Sequence, residues 1–173
     1  ALSALVALLV TASVFAVPTS ASGDTGTDDL QKVAVDGHER KEDSIKLQIL
    51  AINDSHGNIA TTSSSFGGVG RADYLAANIA AAEEGVRNSI MVSAGDLVGA
   101  SPLVSALFHD EPTIEAMNLI GLDVNAVGNH EFDEGVRELR RLQTGGSHPV
   151  DGDLDGTVFE GADFQFIAAN VKY

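Results

Sequence analysis

Three apolar, strand-like segments of the chain end in the same way, on polar side chains of the kinds that bind metal ions. Residues 47–58 read LQILAINDSHGN, residues 89–102 read SIMVSAGDLVGASP, and residues 124–135 read VNAVGNHEFDEG. Buried polar side chains need a hydrogen-bonding partner or a metal ion, so these strand ends are poor material for a hydrophobic core. The repetition favours a fold that brings several strand ends together.

Helical segments are predicted between these strands. One covers about residues 71–84, one begins at Pro112 and is ended by Gly121, and one covers about residues 133–143. A fourth strand is predicted at about residues 164–169. Strands that alternate with helices predict an α/β fold with a parallel sheet. We therefore expect the strands at residues 47–53, 90–94 and 125–127 to be adjacent and parallel.

The last of these helices and the loop after it carry two further expectations. Val136, Leu139 and Leu142 are spaced to face the core from one side of the helix. His148 lies in a loop rich in Gly and Asp and is expected to be exposed to solvent.

Ligand-type side chains are predicted to meet at one edge of the sheet, where the carboxyl ends of parallel strands form a crevice. Asp54 and His56 are two residues apart, so an extended backbone would project both to the same side. A carboxylate beside an imidazole suits a divalent first-row metal, whereas calcium prefers oxygen ligands. Asp96 and Asn129 follow the next two strands and would face the first pair.

The charge balance restricts the partners of the chain. Its 173 residues include 25 acidic and 10 basic ones, which give a formal net charge of -15. Such acidity, without a cluster of Lys or Arg, argues against duplex nucleic acid as a partner. A phosphorylated substrate would need positive charge from bound cations instead. Because the chain has no Cys, disulfides and thiolate metal sites are excluded.

Three regions are predicted along the chain. Residues 1–17 are almost wholly apolar and are followed by small residues, which is typical of a secretory signal. We expect residues 1–21 to be a signal peptide truncated at its start, residues 22–44 a flexible acidic linker, and residues 45–173 the first part of a longer folded domain. The mature chain is expected to lack a stable membrane span and to be secreted, extracellular or in the cell envelope.

The segments NDSHGN, GDLVGASP and GNHEFDEG resemble the first three motifs of the calcineurin-like metallophosphoesterases. The GASP after Asp96, the FDEG after His130 and the AANV at residues 168–171 resemble the secreted bacterial 5′-nucleotidase branch in particular. The resemblance covers about residues 47–173. It implies an α/β metallophosphoesterase-type sandwich, of which this chain carries the first half, with a largely parallel sheet core flanked by helices.

The same resemblance implies a set of metal ligands and a cofactor. The cofactor would be two divalent metal ions, drawn from Mn, Zn, Fe, Co or Mg. Asp54 and His56 would bind the first ion, and Asp96 would bridge both ions. Asn129 would bind the second ion through its amide oxygen.

A catalytic pair is also implied by the resemblance. His130 would face the scissile phosphate rather than bind metal, and Asp133 would orient it and favour its charged form. The implied reaction removes phosphate from a small-molecule nucleotide by attack of metal-activated hydroxide. The family completes its metal shells and binds the base with residues that come later than Tyr173, so this chain made alone is expected to be inactive.

Two other interpretations of the sequence stay open. A related hydrolase on the same scaffold would act on cyclic nucleotides, nucleotide sugars or a thiosulfate-conjugated carrier. A non-catalytic extracellular module would use the same side chains to bind metal without a reaction.

Overall fold

The computed structural model describes residues 8–10, 45–60, 62–63 and 69–172. The strands are β1 (Leu8–Val10), β2 (Gln48–Ile52), β3 (Thr62–Ser63), β4 (Val69–Gly70), β5 (Ser89–Ser93), β6 (Val124–Ala126) and β7 (Gln165–Ile167). The helices are α1 (Ala72–Glu83), α2 (Leu103–Ala106), α3 (Glu111–Ile120) and α4 (Gly135–Thr144), and a short 3-10 helix at His130–Phe132 precedes α4.

Strands β1, β2, β5, β6 and β7 form one sheet in that order. Strands β2, β5, β6 and β7 pair in parallel, with Leu50 opposite Met91 and Val92 opposite Val124. Strand β1 pairs with β2 antiparallel, and β3 and β4 form a separate two-stranded sheet. The predicted α/β fold, its three adjacent parallel strands and the fourth strand are confirmed.

The core lies between the sheet and the helices and includes part of one strand-end loop. Leu75 and Ile79 lie four residues apart on α1, a spacing that brings both to one helix face. Leu97 and Val98, in the loop after β5, are 0% and 3% exposed. Their burial fixes the loop that carries Asp96. The other buried apolar side chains are Leu50, Ile52, Met91, Ile114, Met117, Leu122, Leu142, Phe159 and Phe164.

Two helices show where the sequence prediction holds and where it fails. Helix α3 has Pro112 in its first turn and ends before Gly121, whose φ of 88° is a left-handed conformation that glycine adopts readily. Helix α4 begins two residues later than predicted, because the chain first winds the 3-10 helix. Val136 is 40% exposed, so its predicted inward position is wrong. The buried face of α4 is formed by Glu138, Arg141 and Leu142.

The prediction that His148 is exposed is also wrong. Its side chain is 11% exposed, and its ring stacks on that of His109 with centroids 3.6 Å apart and planes 13° from parallel. The loop after α4 makes this possible, because a backbone bridge between His148 and Gly152 folds it back on itself.

Apart from β1, the predicted signal peptide (residues 1–21) and linker (residues 22–44) lie outside the described residues, and this division of the chain stays a prediction. Among the residues with described positions, no helix combines the length and the apolar character needed to cross a membrane.

Candidate active site

The loops after β2 and β5 continue side by side beyond the ends of their strands. Three backbone hydrogen bonds join them, from the N–H groups of Asp54, His56 and Gly57 to the carbonyls of Gly95, Asp96 and Leu97, at 3.0, 3.0 and 2.8 Å. The loop after β5 is itself anchored in the core. The pairing therefore brings two of the predicted ligand-bearing segments into contact.

The backbone of these two loops is left-handed at four residues that are not glycine, and three of them carry ligand-type side chains. Asp54, His56 and Asp96 have φ of 51°, 43° and 52°. Such conformations cost about 1–3 kcal/mol each and are concentrated at functional sites. They also correct the sequence argument, which assumed an extended backbone that projects Asp54 and His56 to the same side.

One ring nitrogen of His56 is hydrogen-bonded to the backbone, and the other has a free lone pair. Its Nδ1–H donates to the carbonyl oxygen of Gly99 at 2.9 Å, which fixes the tautomer and leaves the lone pair on Nε2. Metal-binding histidines are commonly oriented by such a bond to a backbone carbonyl. The ring also lies edge-on to that of His130, with centroids 4.8 Å apart and planes at 85°.

Donor atoms of His56, Asp96 and His130 all lie within 4.8 Å of one another. Two imidazoles and a carboxylate suit a divalent first-row metal ion, so these residues fit the metal chemistry expected from the sequence. The Asp54 carboxylate lies outside this group; it is exposed and accepts a hydrogen bond from the side chain of Asn53. Asn129 is exposed and occupies the N-cap position of the 3-10 helix that begins at His130, where its side chain makes no capping hydrogen bond.

His130 and Asp133 form the pair expected from the sequence. The Nδ1–H of His130 donates to Oδ2 of Asp133 at 2.7 Å. This hydrogen bond raises the pKa of His130 above its ordinary value; burial opposes the rise, and the nearby charges of Asp133, Asp96 and Glu131 add to it. The backbone N–H of His130 also donates to Oδ1 of Asp96 at 3.0 Å, which ties the pair to the loop after β5. The catalytic role of the pair stays a prediction.

Glu131 joins two strand-end loops, a role that the sequence reasoning missed. Its side chain is 3% exposed. Its carboxylate accepts hydrogen bonds from the backbone N–H groups of Asp96, Leu97 and Gly128 at 3.0, 2.9 and 2.7 Å, and from Nδ2 of Asn125 at 3.2 Å. A carboxylate directly after His130 in GNHE was the available signal, but its partners lie in other parts of the chain.

Replacing Glu131 with glutamine should destabilise the protein by about 2–4 kcal/mol. The amide keeps the size of the side chain but turns one acceptor into a donor, and each buried backbone N–H left unpaired costs about 1–3 kcal/mol. Urea unfolding measures the change, with Glu84→Gln as the matched control because Glu84 is exposed at the end of α1. Equal unfolding midpoints for Glu131→Gln and wild type would show that the four hydrogen bonds do not hold the loops.

Gly99 is a second residue of the candidate active site that was not predicted from the sequence. A Cβ at this position would lie 2.7 Å from both Oδ2 of Asp133 and the carbonyl oxygen of His130, so only glycine fits beneath the pair. Its N–H donates to Oδ2 of Asp110 at 2.9 Å, while its carbonyl orients His56. Gly99 thus orients His56 through its carbonyl, and its lack of a side chain leaves room for His130 and Asp133.

Residues 47–166 match the family described as calcineurin-like phosphoesterase. The chain belongs to that family. Endonuclease YhcR of Bacillus subtilis is 42% identical over 143 residues, which cover 76% of this chain and 11% of that protein. A protein of Acinetobacter calcoaceticus called "Uncharacterized protein in pqq-V 5′region" is 45% identical over 141 residues, which cover 72% of this chain and 69% of that protein.

A further relative in this set is a 2′,3′-cyclic-nucleotide 2′-phosphodiesterase/3′-nucleotidase of Salmonella typhimurium. It is 30% identical over 120 residues, which cover 61% of this chain and 18% of that protein. The phosphoesterase chain therefore spans between 11% and 69% of the length of these three relatives.

Proposed function

We propose that this phosphoesterase is a secreted, metal-dependent hydrolase that removes phosphate from nucleotides, as 5′-nucleotidases do. The observation that carries the proposal is the convergence of His56, Asp96 and His130 at the carboxyl ends of parallel strands. The donor atoms of His56 and Asp96 fit a divalent metal, and His130 keeps a carboxylate partner of its own. Neither the metal-type donor atoms nor the carboxylate partner of His130 contributes to the hydrophobic core.

Asp96 and His56 would hold metal, with Asp54 and Asn129 as further ligands of a two-ion centre. When bound, the ions would supply positive charge for the phosphoryl oxygens and would lower the pKa of water. Two ligands are oriented before metal binds: Gly99 fixes the tautomer of His56, and Glu131 holds the backbone of Asp96. Pre-oriented ligands reduce the free-energy cost of assembling the site.

His130 would act on the substrate through Nε2, because its Nδ1–H is bound to Asp133. The raised pKa of His130 favours the imidazolium form. In that form Nε2–H would donate to a phosphoryl oxygen or give its proton to the leaving ribose oxygen. Asp133 would keep the ring oriented and stabilise its positive charge throughout.

The nucleotide part of the proposal rests on the motifs and on the relatives. The segments around Asp96 and His130 resemble those of 5′-nucleotidases, and two relatives are named for reactions of nucleic acid or nucleotide phosphoesters. The name of the Salmonella typhimurium relative also favours a second candidate, a phosphodiesterase that opens cyclic nucleotides. Export is proposed from the apolar run at residues 1–17, which is typical of a secretory signal.

Substrate preference distinguishes the candidates. We expect the full-length protein, supplied with Mn²⁺, to release phosphate faster from a nucleoside 5′-monophosphate than from glycerol phosphate, a matched monoester without a base. Faster opening of a nucleoside 2′,3′-cyclic monophosphate than hydrolysis of the monoester would favour the phosphodiesterase. Hydrolysis of none of the three would support a non-catalytic metal-binding module and overturn the proposal.

A further inference from the structure

A second group of metal-binding side chains lies outside the candidate active site. It consists of His109, His148 and Asp151, here called the loop cluster, whose donor atoms all lie within 4.8 Å of one another. His109 lies just before α3, and the other two belong to the loop after α4. None of the three belongs to the motifs on which the proposed function rests.

The spacing of the loop cluster matches that of atoms bound to one metal ion. Nε2 of His109 and Nδ1 of His148 lie 3.0 and 3.4 Å from the same Oδ2 of Asp151. Two ligand atoms at zinc-binding distance from one ion are about 3.0 Å apart at a right angle and about 3.4 Å apart at a tetrahedral angle. Both nitrogens thus lie at ligand-to-ligand spacing from one carboxylate oxygen. Because the rings are stacked, they would have to turn out of their parallel planes to direct both lone pairs at one ion.

Hydrogen bonds orient both rings for this purpose. Nδ1–H of His109 donates to Oε2 of Glu134 at 2.8 Å, and a carboxylate behind the ring is a common support of a metal-binding histidine. Nε2–H of the same ring donates to Oδ2 of Asp151 at 3.0 Å, so an ion would bind Nε2 in place of this proton. Nδ1 of His148 accepts a hydrogen bond from the backbone N–H of Asp151 at 3.1 Å. This ring nitrogen therefore carries no proton, and an ion bound to it would replace the hydrogen bond from Asp151.

The charges around the loop cluster favour a cation. Oε2 of Glu138 lies 3.9 Å from Nε2 of His148, which adds a carboxylate to those of Glu134 and Asp151. Arg141 is bound to Glu138 at 2.6 Å and also pairs with Glu111. Carboxylates thus outnumber the guanidinium in this group, so a bound cation would gain from the remaining negative charge.

We propose that His109, His148 and Asp151 form a second metal site that takes a borderline divalent ion such as Zn²⁺. Two imidazoles and one carboxylate supply three ligands, and water would complete a tetrahedral shell. Asp151 is 46% exposed while the histidines are 16% and 11% exposed, so an ion can enter from the solvent side. The ion would tie the loop after α4 to the turn before α3.

Zinc titration of the full-length protein tests this site. Asp96→Ala serves as the parent, so that the candidate active site does not contribute. Calorimetry should show one Zn²⁺ bound per chain in the parent and binding weakened by more than about 100-fold when Asp151→Asn or His109→Gln is added. Glu134→Gln should weaken binding by about 10–100-fold, as expected for a residue that orients a ligand. Asp153→Asn, in the same loop, is the control and should leave the affinity unchanged.

A thermal measurement keeps the test informative if a variant is unstable. Added Zn²⁺ should raise the unfolding temperature of the Asp96→Ala parent and not that of Asp96→Ala with Asp151→Asn, because only a folded site binds the ion. The proposal is overturned if the Asp96→Ala parent binds no Zn²⁺, or if Asp151→Asn and His109→Gln bind it as tightly as their parent. Either result would leave the loop cluster as a hydrogen-bonded contact that holds the loop without metal.

Discussion

In the full-length protein, replacing Asp96 with alanine should lower nucleotide hydrolysis by roughly 10⁴-fold or more. Enzymes commonly accelerate reactions by about 10⁶-fold or more, and loss of the metal centre should remove most of this gain. The carboxylate of Asp96 belongs to the donor group with His56 and also accepts the backbone N–H of His130 at 3.0 Å. Alanine would thus remove a ligand and release the chain segment that carries the catalytic pair. Phosphate release at saturating nucleotide measures the effect.

Asp163→Ala is the matched control for this substitution. Asp163 is exposed and lies just before β7, at the amino end of the sheet and away from the strand ends that form the candidate site. Its replacement should leave the rate within about twofold of wild type, since surface substitutions away from such features have small effects. Activity close to wild type in Asp96→Ala would mean that this carboxylate takes no part in hydrolysis.

Replacing His130 with alanine should lower turnover by roughly 10²–10⁴-fold, the range for a positioned acid or base. The bond to Asp133 at 2.7 Å indicates that the ring is oriented by the protein before any substrate binds. Asp133→Asn should lower turnover less than His130→Ala does, because the amide still positions the His130 ring but no longer stabilises its positive charge. Phosphate release and metal content, measured on the same preparations, separate catalysis from metal retention.

Metal content decides between two roles for His130. The family resemblance implies that it faces the substrate, whereas the structure places it in one donor group with His56 and Asp96. We expect His130→Ala to keep the metal content of wild type while turnover falls. Joint loss of metal and activity would show that His130 is a ligand and that the proton-donating role belongs elsewhere.

The arrangement of the strands was predictable because each is a short apolar run bounded by turn residues and separated by a helix. Such units predict that β2, β5 and β6 are adjacent and parallel, and the observed order β2-β5-β6-β7 places Asp96 and His56 at one edge. The left-handed backbone at Asp54 and His56 was not predictable from local sequence. It depends on hydrogen bonds to the loop after β5, which comes much later in the chain.

Contacts between residues that are distant in the sequence also explain why some side chains were predicted wrongly or not at all. Glu131 is adjacent to His130, but its importance comes from backbone donors in two other loops. His148 is mostly buried because it stacks on His109, a contact that no periodicity in its own loop indicates. Val136 had the spacing of a core residue, yet α4 buries its ion-paired Glu138 and Arg141 instead.

Metal content measures most directly whether Asp96 holds the ions that would make this phosphoesterase chain active. Full-length wild type and Asp96→Ala would be loaded with Mn²⁺, freed of excess ion and analysed for bound metal. If Asp96 bridges a two-ion centre, wild type should carry about two more ions per chain than Asp96→Ala. Equal metal content in the two proteins would contradict the bridging role of Asp96 and the metal-dependent hydrolysis proposed from it.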